Sequence, residues 1–193
     1  MLIGVLALQG AFIEHMRMFR KLGIGVREIR LPADLNDIAG LVIPGGESTT
    51  MMNLLQAFDL AEPVTRFACA GRPVWGICAG MVCLAKSVSN PDGSQMETLK
   101  IMDITVERNA FGRQVDSFET QLNISILRDI PFPGIFIRAP YISQTGKGVK
   151  ILAKLSDDRI VAAEQDNLLV TSFHPELTDD PRLHQYFARK IGL

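Results

Sequence analysis

The chain has no dominant charge. Twenty Lys and Arg stand against 21 Asp and Glu, for a formal net charge of −1. No basic run breaks that balance, which argues against nucleic acid as a partner. Cysteine is scarce. Cys69, Cys78 and Cys83 are the three present and form no paired framework, so a disulfide-stapled fold is not indicated and a reducing, cytoplasmic compartment is expected. Histidine is as scarce, at three. His15, His174 and His184 are scattered, and no Cys/His cluster has ligand spacing, so no metal site is expected. Nothing approaches the ~18 continuous apolar residues of a membrane span. The apolar start MLIGVLALQGAFI lacks a basic leading region and is interrupted by Gln9, Gly10 and Glu14. It reads as a buried strand running into a helix, not as a signal peptide. There is no repeat, low-complexity tract or linker, and one domain over residues 1–193 is expected.

What is present is a folding composition. Hydrophobic residues make up 47% and charged residues 21% of 193, enough for a sizeable core. The first half alternates strand and helix. LIGVLAL is a short continuous apolar run, as in a strand buried on both faces. Phe12, Met16 and Phe19 then recur at helical spacing, and Gly23 ends the run. GVREIRL and GLVIP read as the second and third strands. Ser48, Thr49 or Thr50 is expected to cap the helix TMMNLLQAFDL. The helix EPVTRFACA, the strand PVWGI and the helix AGMVCLAKSV follow. In the second half IMDITVERNA, QLNISIL and GIFIRAPYI read as strands with no long helix between them. VKILAKL and RIVAAEQ form a hairpin around Asp157-Asp158, NLLVTSF is one more strand, and DPRLHQYFARKI is an amphipathic last helix. This pattern predicts a flavodoxin-like α/β fold: three layers, α/β/α, around a mainly parallel sheet with an added antiparallel portion.

The stretch PVWGICAGMVCLAK, residues 73–86, carries the chemistry. A cysteine that merely packs needs no glycines around it, yet Cys78 sits between Gly76 and Gly80 where a strand gives way to a helix. That is the G-x-nucleophile-x-G form in its required strand–turn–helix setting, and a helix start favours thiolate. A cysteine nucleophile needs a base. His15 and His184 lie on helices with polar neighbours and are expected on solvated faces. His174 precedes Pro175, which pushes it into an extended conformation. Two residues on, Glu176 then points the same way and can hold the imidazole's orientation and tautomer. Both follow an apolar run at a strand's carboxyl end, the edge where sites form in parallel α/β sheets. The third element is IPGGES. The amides of Gly45 and Gly46 can approach a ligand, so Gly46 and Ala79, the residue after the nucleophile, are candidate oxyanion donors. A Gly-Gly peptide can flip at little steric cost. Gln9, at the end of the first strand, would reach the same edge and stabilise one flip state. Cys69 and Cys83 are expected to pack in the core.

LVIPGGEST, GICAGM, VERNAFGRQVDSFE, FIRAP and SFHPEL together resemble the class I, triad-type glutamine amidotransferases. Within them, PGGEST, RNAFGRQ and FIRAP are similar to the glutaminase subunits of pyridoxal 5′-phosphate synthase, and the likeness runs from GVLALQG to the last helix. The resemblance implies a glutaminase in which Cys78 attacks the side-chain amide of L-glutamine, His174 is base and then acid, and Glu176 orients it. It implies that Gly46, Glu47, Ser48 and Arg108 hold the glutamine's backbone end, with Ile137 and Arg138 completing the pocket. It implies no cofactor. It also implies a hetero-oligomer with a synthase (lyase) subunit that takes the ammonia and makes pyridoxal 5′-phosphate from ribose 5-phosphate and glyceraldehyde 3-phosphate. Another amidotransferase glutaminase, such as that of imidazole glycerol phosphate synthase, and a non-catalytic module of the same fold are the alternatives. One departure stands out: where the family usually has a Leu-Gly-type turn, this chain has Thr98-Leu99-Lys100-Ile101.

Overall fold

The computed structural model describes residues 1–90, 93–108, 117–127 and 130–192. The first half runs β1 (Leu2–Leu6), α1 (Phe12–Lys21), β2 (Gly25–Ile29), β3 (Ile38–Ile43), α2 (Ser48–Ala57), α3 (Ala61–Cys69), β4 (Val74–Ile77) and α4 (Ala79–Leu84). The second half runs β5 (Ala85–Ser89), β6 (Met102–Glu107), β7 (Ser117–Leu122), β8 (Phe132–Ile137), β9 (Tyr141–Thr145), β10 (Lys150–Lys154), β11 (Ile160–Gln165), β12 (Leu168–Thr171) and α5 (Arg182–Lys190).

The main sheet has the order β2-β1-β3-β4-β12-β11-β9-β6-β5, with β10 paired to β11. From β2 to β12 every pairing is parallel, the doubly wound arrangement expected of strands that alternate with helices. All four residues of β4 and of β12 are buried. From β12 onward the pairings β12–β11, β11–β9 and β9–β6 are antiparallel, and β5 returns parallel to β6. The sheet is mixed and mostly parallel at one end, and the fold is α/β. β7 and β8 form a separate two-stranded ribbon. Helices cover both faces. Met51 and Leu55 of α2 and Val64 of α3 pack with Leu41 and Val74 on one side. Phe19 of α1 and Phe187 of α5 pack with Trp75 and Val42 on the other. Among the described residues no helix is long and apolar enough to cross a membrane.

Three local readings change, one of them at QLNISIL, expected as a strand: only Gln121 and Leu122 are strand, at the end of β7, and the chain then turns. The helix expected over AGMVCLAKSV stops at Leu84, because Ala85 turns extended (φ −60°, ψ 147°) and residues 85–89 pair with β6. Tertiary pairing here overrides a helical pattern of marginal length. GIFIRAPYI is two strands, not one. Arg138 takes a positive φ of 42°, Pro140 restricts Ala139, and the chain passes from the ribbon to the main sheet. In the turn that lacks the family's glycine, Lys100 itself adopts φ 56°, the left-handed conformation that glycine takes without strain. Of RNAFGRQ, only Arg108 falls within the described residues.

Candidate active site

The elbow is built by close packing. Cys78 follows β4 with φ 49° and ψ −102°, outside the regions open to L-residues. Its N–H donates to Thr171 O at 2.7 Å, and its carbonyl accepts from Val82 N–H. A Cβ at Gly80 would lie 2.1 Å from Ile43 O, and one at Gly76 would lie 2.7 Å from the Gly80 backbone. Only glycine lets the elbow press against β3, which is why glycines flank the cysteine. The thiol is 6% exposed and lies in a cleft of about 410 Å³.

His174 leaves β12, and its N–H is tied to Ile135 O at 2.8 Å. It lines the same cleft as Cys78, and its Nδ1 lies 2.7 Å from Glu176 Oε1. The route to that contact differs from the expected one. Pro175–Leu177 is a 3-10 turn, so the turn, and not extended alternation, swings the carboxylate beside the ring. Burial alone would lower the His174 pKa, but the hydrogen bonds with Cys78 and Glu176 and their charges outweigh it and raise it to about 10. Burial likewise opposes ionisation of Glu176, and the flanking His15 and His174 rings outweigh it and hold its pKa below the usual carboxylate value. At neutral pH the imidazole holds a proton beside the sulfur and an anion behind it.

The Gly45–Gly46 loop passes over the histidine. A Cβ at Gly45 would lie 2.4 Å from His174 Cε1. Gly46 has φ 156°, and a Cβ there would lie 2.5 Å from Gln9 Oε1. The loop is pinned from the β1–α1 connection: Ala11 N–H donates to Gly45 O at 3.3 Å. Gln9 Nε2 donates to Glu47 O at 3.0 Å, and Glu47 N–H donates to Gln9 Oε1 at 3.3 Å.

The expected cap of α2 is wrong. Glu47, not Ser48, Thr49 or Thr50, is the cap: its carboxylate accepts from Thr49 N–H at 3.1 Å and Thr50 N–H at 2.7 Å. Ser48 is buried as the first helical residue. Arg108 Nη2 donates to Glu47 Oε1 at 3.1 Å, so that carboxylate is already engaged from two directions. Burial works against its charge, but the hydrogen bonds from Thr50 and Thr49 and the Arg108 guanidinium prevail and hold its pKa down.

Gly46, Glu47, Ser48, Ala79, Arg108, Ile137 and Arg138 all line the cleft that holds Cys78 and His174. Two expected site residues do not line it. Glu176 is buried behind His174, and Gln9 sits beneath the loop it holds.

His15 and His184 are not on solvated faces: both are 0% exposed. His15 Nε2 lies 3.3 Å from Glu176 Oε2, and His15 Nδ1 lies 3.0 Å from His184 Nε2. Trp75 meets both rings edge-on. The signal was present in the helical period. His15 falls three residues after Phe12 and four before Phe19, and His184 falls three, four and seven before Phe187, Ala188 and Ile191. Both occupy the apolar stripe of their helices. Among the other cysteines, Cys83 is buried as expected, and burial pushes its pKa up to about 12. Cys69 is exposed, contrary to its expected place in the core. It is the last residue of α3, where the buried face has already been supplied by Val64, Phe67 and Ala68.

A cysteine elbow in a doubly wound sheet, with a His–carboxylate pair at the same strand ends, defines the class. The SNO glutamine amidotransferase family profile matches residues 5–193, and the chain belongs to that family. Within it, the chain is 57% identical over 189 residues to pyridoxal 5′-phosphate synthase subunit PdxT of Dehalococcoides mccartyi, covering 98% of this chain and 96% of that one. It is 54% identical over 187 residues to the PdxT subunit of Herpetosiphon aurantiacus, covering 97% and 98%. A crystal structure of a glutamine amidotransferase superposes with a TM-score of 0.91 at 43% identity, covering 99% of each chain. PurLQS of Thermotoga maritima shares the fold at 15% identity, with a TM-score of 0.67 over 99% of this chain and 95% of that one.

Proposed function

We propose that this chain, as one glutaminase unit over residues 1–193, hydrolyses L-glutamine to L-glutamate and ammonia and passes the ammonia to a synthase subunit of pyridoxal 5′-phosphate synthase in a cytoplasmic hetero-oligomer. The observation that carries the reading is that Cys78 and His174 share the cleft while Glu176 sits buried behind the His174 ring, 2.7 Å from its Nδ1, with the Gly45–Gly46 loop over that ring.

In this reading the Cys78 sulfur attacks the amide carbon of the glutamine side chain. The C=O π pair moves onto oxygen, stabilised by the N–H groups of Gly46 and Ala79, a contribution of roughly 10²–10³ in kcat for each donor. His174 gives its proton to the amide nitrogen, the C–N bond breaks and ammonia leaves. The product is a γ-glutamyl thioester on Cys78. Water then attacks that carbon while His174 takes its proton, and the C–S bond breaks to release glutamate. Glu176 does not exchange protons; it fixes the ring and stabilises its charged form. At the other end of the cleft Arg108, Ser48 and the backbone of Gly46 and Glu47 receive the substrate's amino-acid group, with Ile137 and Arg138 beside it. The Glu47 side chain contributes indirectly, by anchoring Arg108.

The names of the relatives support the synthase partner. The test is glutaminase activity with and without the synthase subunit, together with pyridoxal 5′-phosphate formation from glutamine and from ammonium. A chain that releases no ammonia from glutamine in either setting would refute the reading.

A further inference from the structure

Behind the triad lies a buried pair that the mechanism above does not use. We propose that His15 is a positioning residue for the catalytic carboxylate, donating its Nε2–H to Glu176 Oε2, and that His184 holds His15 in the tautomer this requires. The proposal rests on the reading of Glu176 as the orienter of His174.

Donor and acceptor counting carries the argument. Glu176 is 6% exposed and Glu176 Oε1 is taken by His174. Its second oxygen and His15 Nε2 are both buried without a regular hydrogen bond and face each other at 3.3 Å. An ionised carboxylate only accepts, so the facing nitrogen must carry hydrogen. A neutral His15 then has a bare Nδ1. The atom 3.0 Å from it is His184 Nε2, which must in turn be the protonated nitrogen. One direction of donation follows, from His184 to His15 to Glu176, while His174 donates to the same carboxylate from the other side. A neutral His15 is what its surroundings favour: burial pushes its pKa down, against the pull of Glu176. Burial and the neighbouring His15 do the same to His184. The titratable groups acting on His15 are Glu176 and His174 on the turn after β12, His184 on α5 and Glu14 beside it on α1. The rings are held by packing. His184 stands edge-on to Phe19 at 4.9 Å and to Trp75 at 5.1 Å between centroids. A carboxylate gripped at both oxygens has its plane fixed, and so has the imidazole that it orients. With one oxygen released, the carboxylate is free to rotate or to take up a proton.

The experiment is the pH dependence of glutaminase activity, with the synthase subunit present, for His15→Leu, His15→Gln and Cys78→Ala. His15→Leu is expected to lower kcat about 10- to 100-fold, the range set by a buried charged acceptor left unmatched. The KM for glutamine should stay unchanged, and the acid limb of kcat/KM should move to higher pH. His15→Gln supplies an amide donor in place of the imidazole and should stay within about threefold of the parent, with its acid limb in place. A merely structural role would lower Tm without moving the limb. Equal kcat and pH profile for His15→Leu and the parent would overturn the proposal, as would equal damage from Leu and Gln. Nitrogen-15 ring spectra of the unmodified chain, with only three histidines to assign, give a readout independent of folding in the variants. At neutral pH His15 should show hydrogen on Nε2 alone, and hydrogen on its Nδ1 would overturn the assignment. Cys78→Ala separates the two readings. Activity retained there removes the triad itself, whereas an inactive Cys78→Ala beside an unaffected His15→Leu removes only the role of His15.

Discussion

The His174 ring rests on the Cα of Gly45, so closely that a methyl group there would stand 2.4 Å from Cε1. No L-residue other than glycine fits without moving the ring, and the ring cannot move without leaving Cys78. Gly45→Ala is therefore expected to lower kcat by about 100-fold, the loss typical of a ~1 Å misplacement of a reacting group. Kinetics alongside a thermal melt check this: a rate near that of the parent would show that the loop yields instead.

The three members of the triad should fall in a fixed order. Cys78→Ala should abolish glutamine hydrolysis with the fold retained, since only the sulfur is lost. His174→Asn should be nearly as damaging, because such residues act as a unit. Glu176→Gln should be milder, as it orients and transfers no proton. Synthesis from free ammonium by the partnered synthase should survive all three. Equal losses for Glu176→Gln and Cys78→Ala would count against an orienting role.

Gln9 holds Glu47 through both its N–H and its carbonyl, and Ala11 holds the Gly45 carbonyl. A turn of the Gly45–Gly46 peptide must break the Ala11 contact, while Gln9 fixes the following residue, Glu47, on which such a turn pivots. The synthase subunit is expected to raise kcat by about 10²–10³, the worth of one oxyanion donor. Gln9→Ala should blunt that activation while leaving glutamine binding near normal. Full activity without the partner, or an activation indifferent to Gln9, would refute gating by this loop.

The buried histidines predict a stability maximum in pH. The folded-state pKa of His174 is raised to about 10, so its contribution is complete below about 6.5, the unfolded value, and is lost as pH rises through 10. His15 and His184 have lowered pKa values in the folded chain. Below about 6.5 the unfolded chain binds protons that the folded chain refuses, and stability falls with falling pH. Glu176, with its pKa lowered, adds to that fall only in stronger acid. Urea unfolding across pH should peak near 6.5, and His174→Asn should flatten the alkaline side. A peak that ignores this substitution would mean that His174 is not the group responsible.

Much of this was legible in the chain itself. The elbow could be read from two glycines around Cys78, because no side chain fits where β4 turns against β3. That the sheet is mainly parallel followed from strands alternating with helices in the first half; the strand order did not. What escaped were features settled by distant partners. Glu47 looked like a ligand-binding acid and serves as a helix cap, since three candidate hydroxyls beside it hid the competition for the same N–H groups. Residues 85–88 carried a helical pattern and became part of a strand once β6 offered an edge. The polar neighbours of His15 and His184 suggested water, although their register with Phe19 and Phe187 placed them inside. Chain-local chemistry could not tell that His15 from α1 and His174 from the turn after β12 would face one carboxylate, with His184 from α5 behind His15.

Arg108 follows β6 and Glu47 follows β3, yet their side chains touch at 3.1 Å. In strand order β4, β12, β11 and β9 lie between them. Laid flat, five steps at ~4.8 Å would set the two strands about 24 Å apart. Curl of the sheet and reach of the loops close that gap, and the ion pair acts as a hasp across a bent plate. The width of the cleft is thus a measure of curvature. A substitution in β9 or β11, far from any reacting atom, that flattens the plate would loosen the grip on the amino-acid end of the substrate while leaving Cys78 and His174, both on the rigid parallel half, where they are.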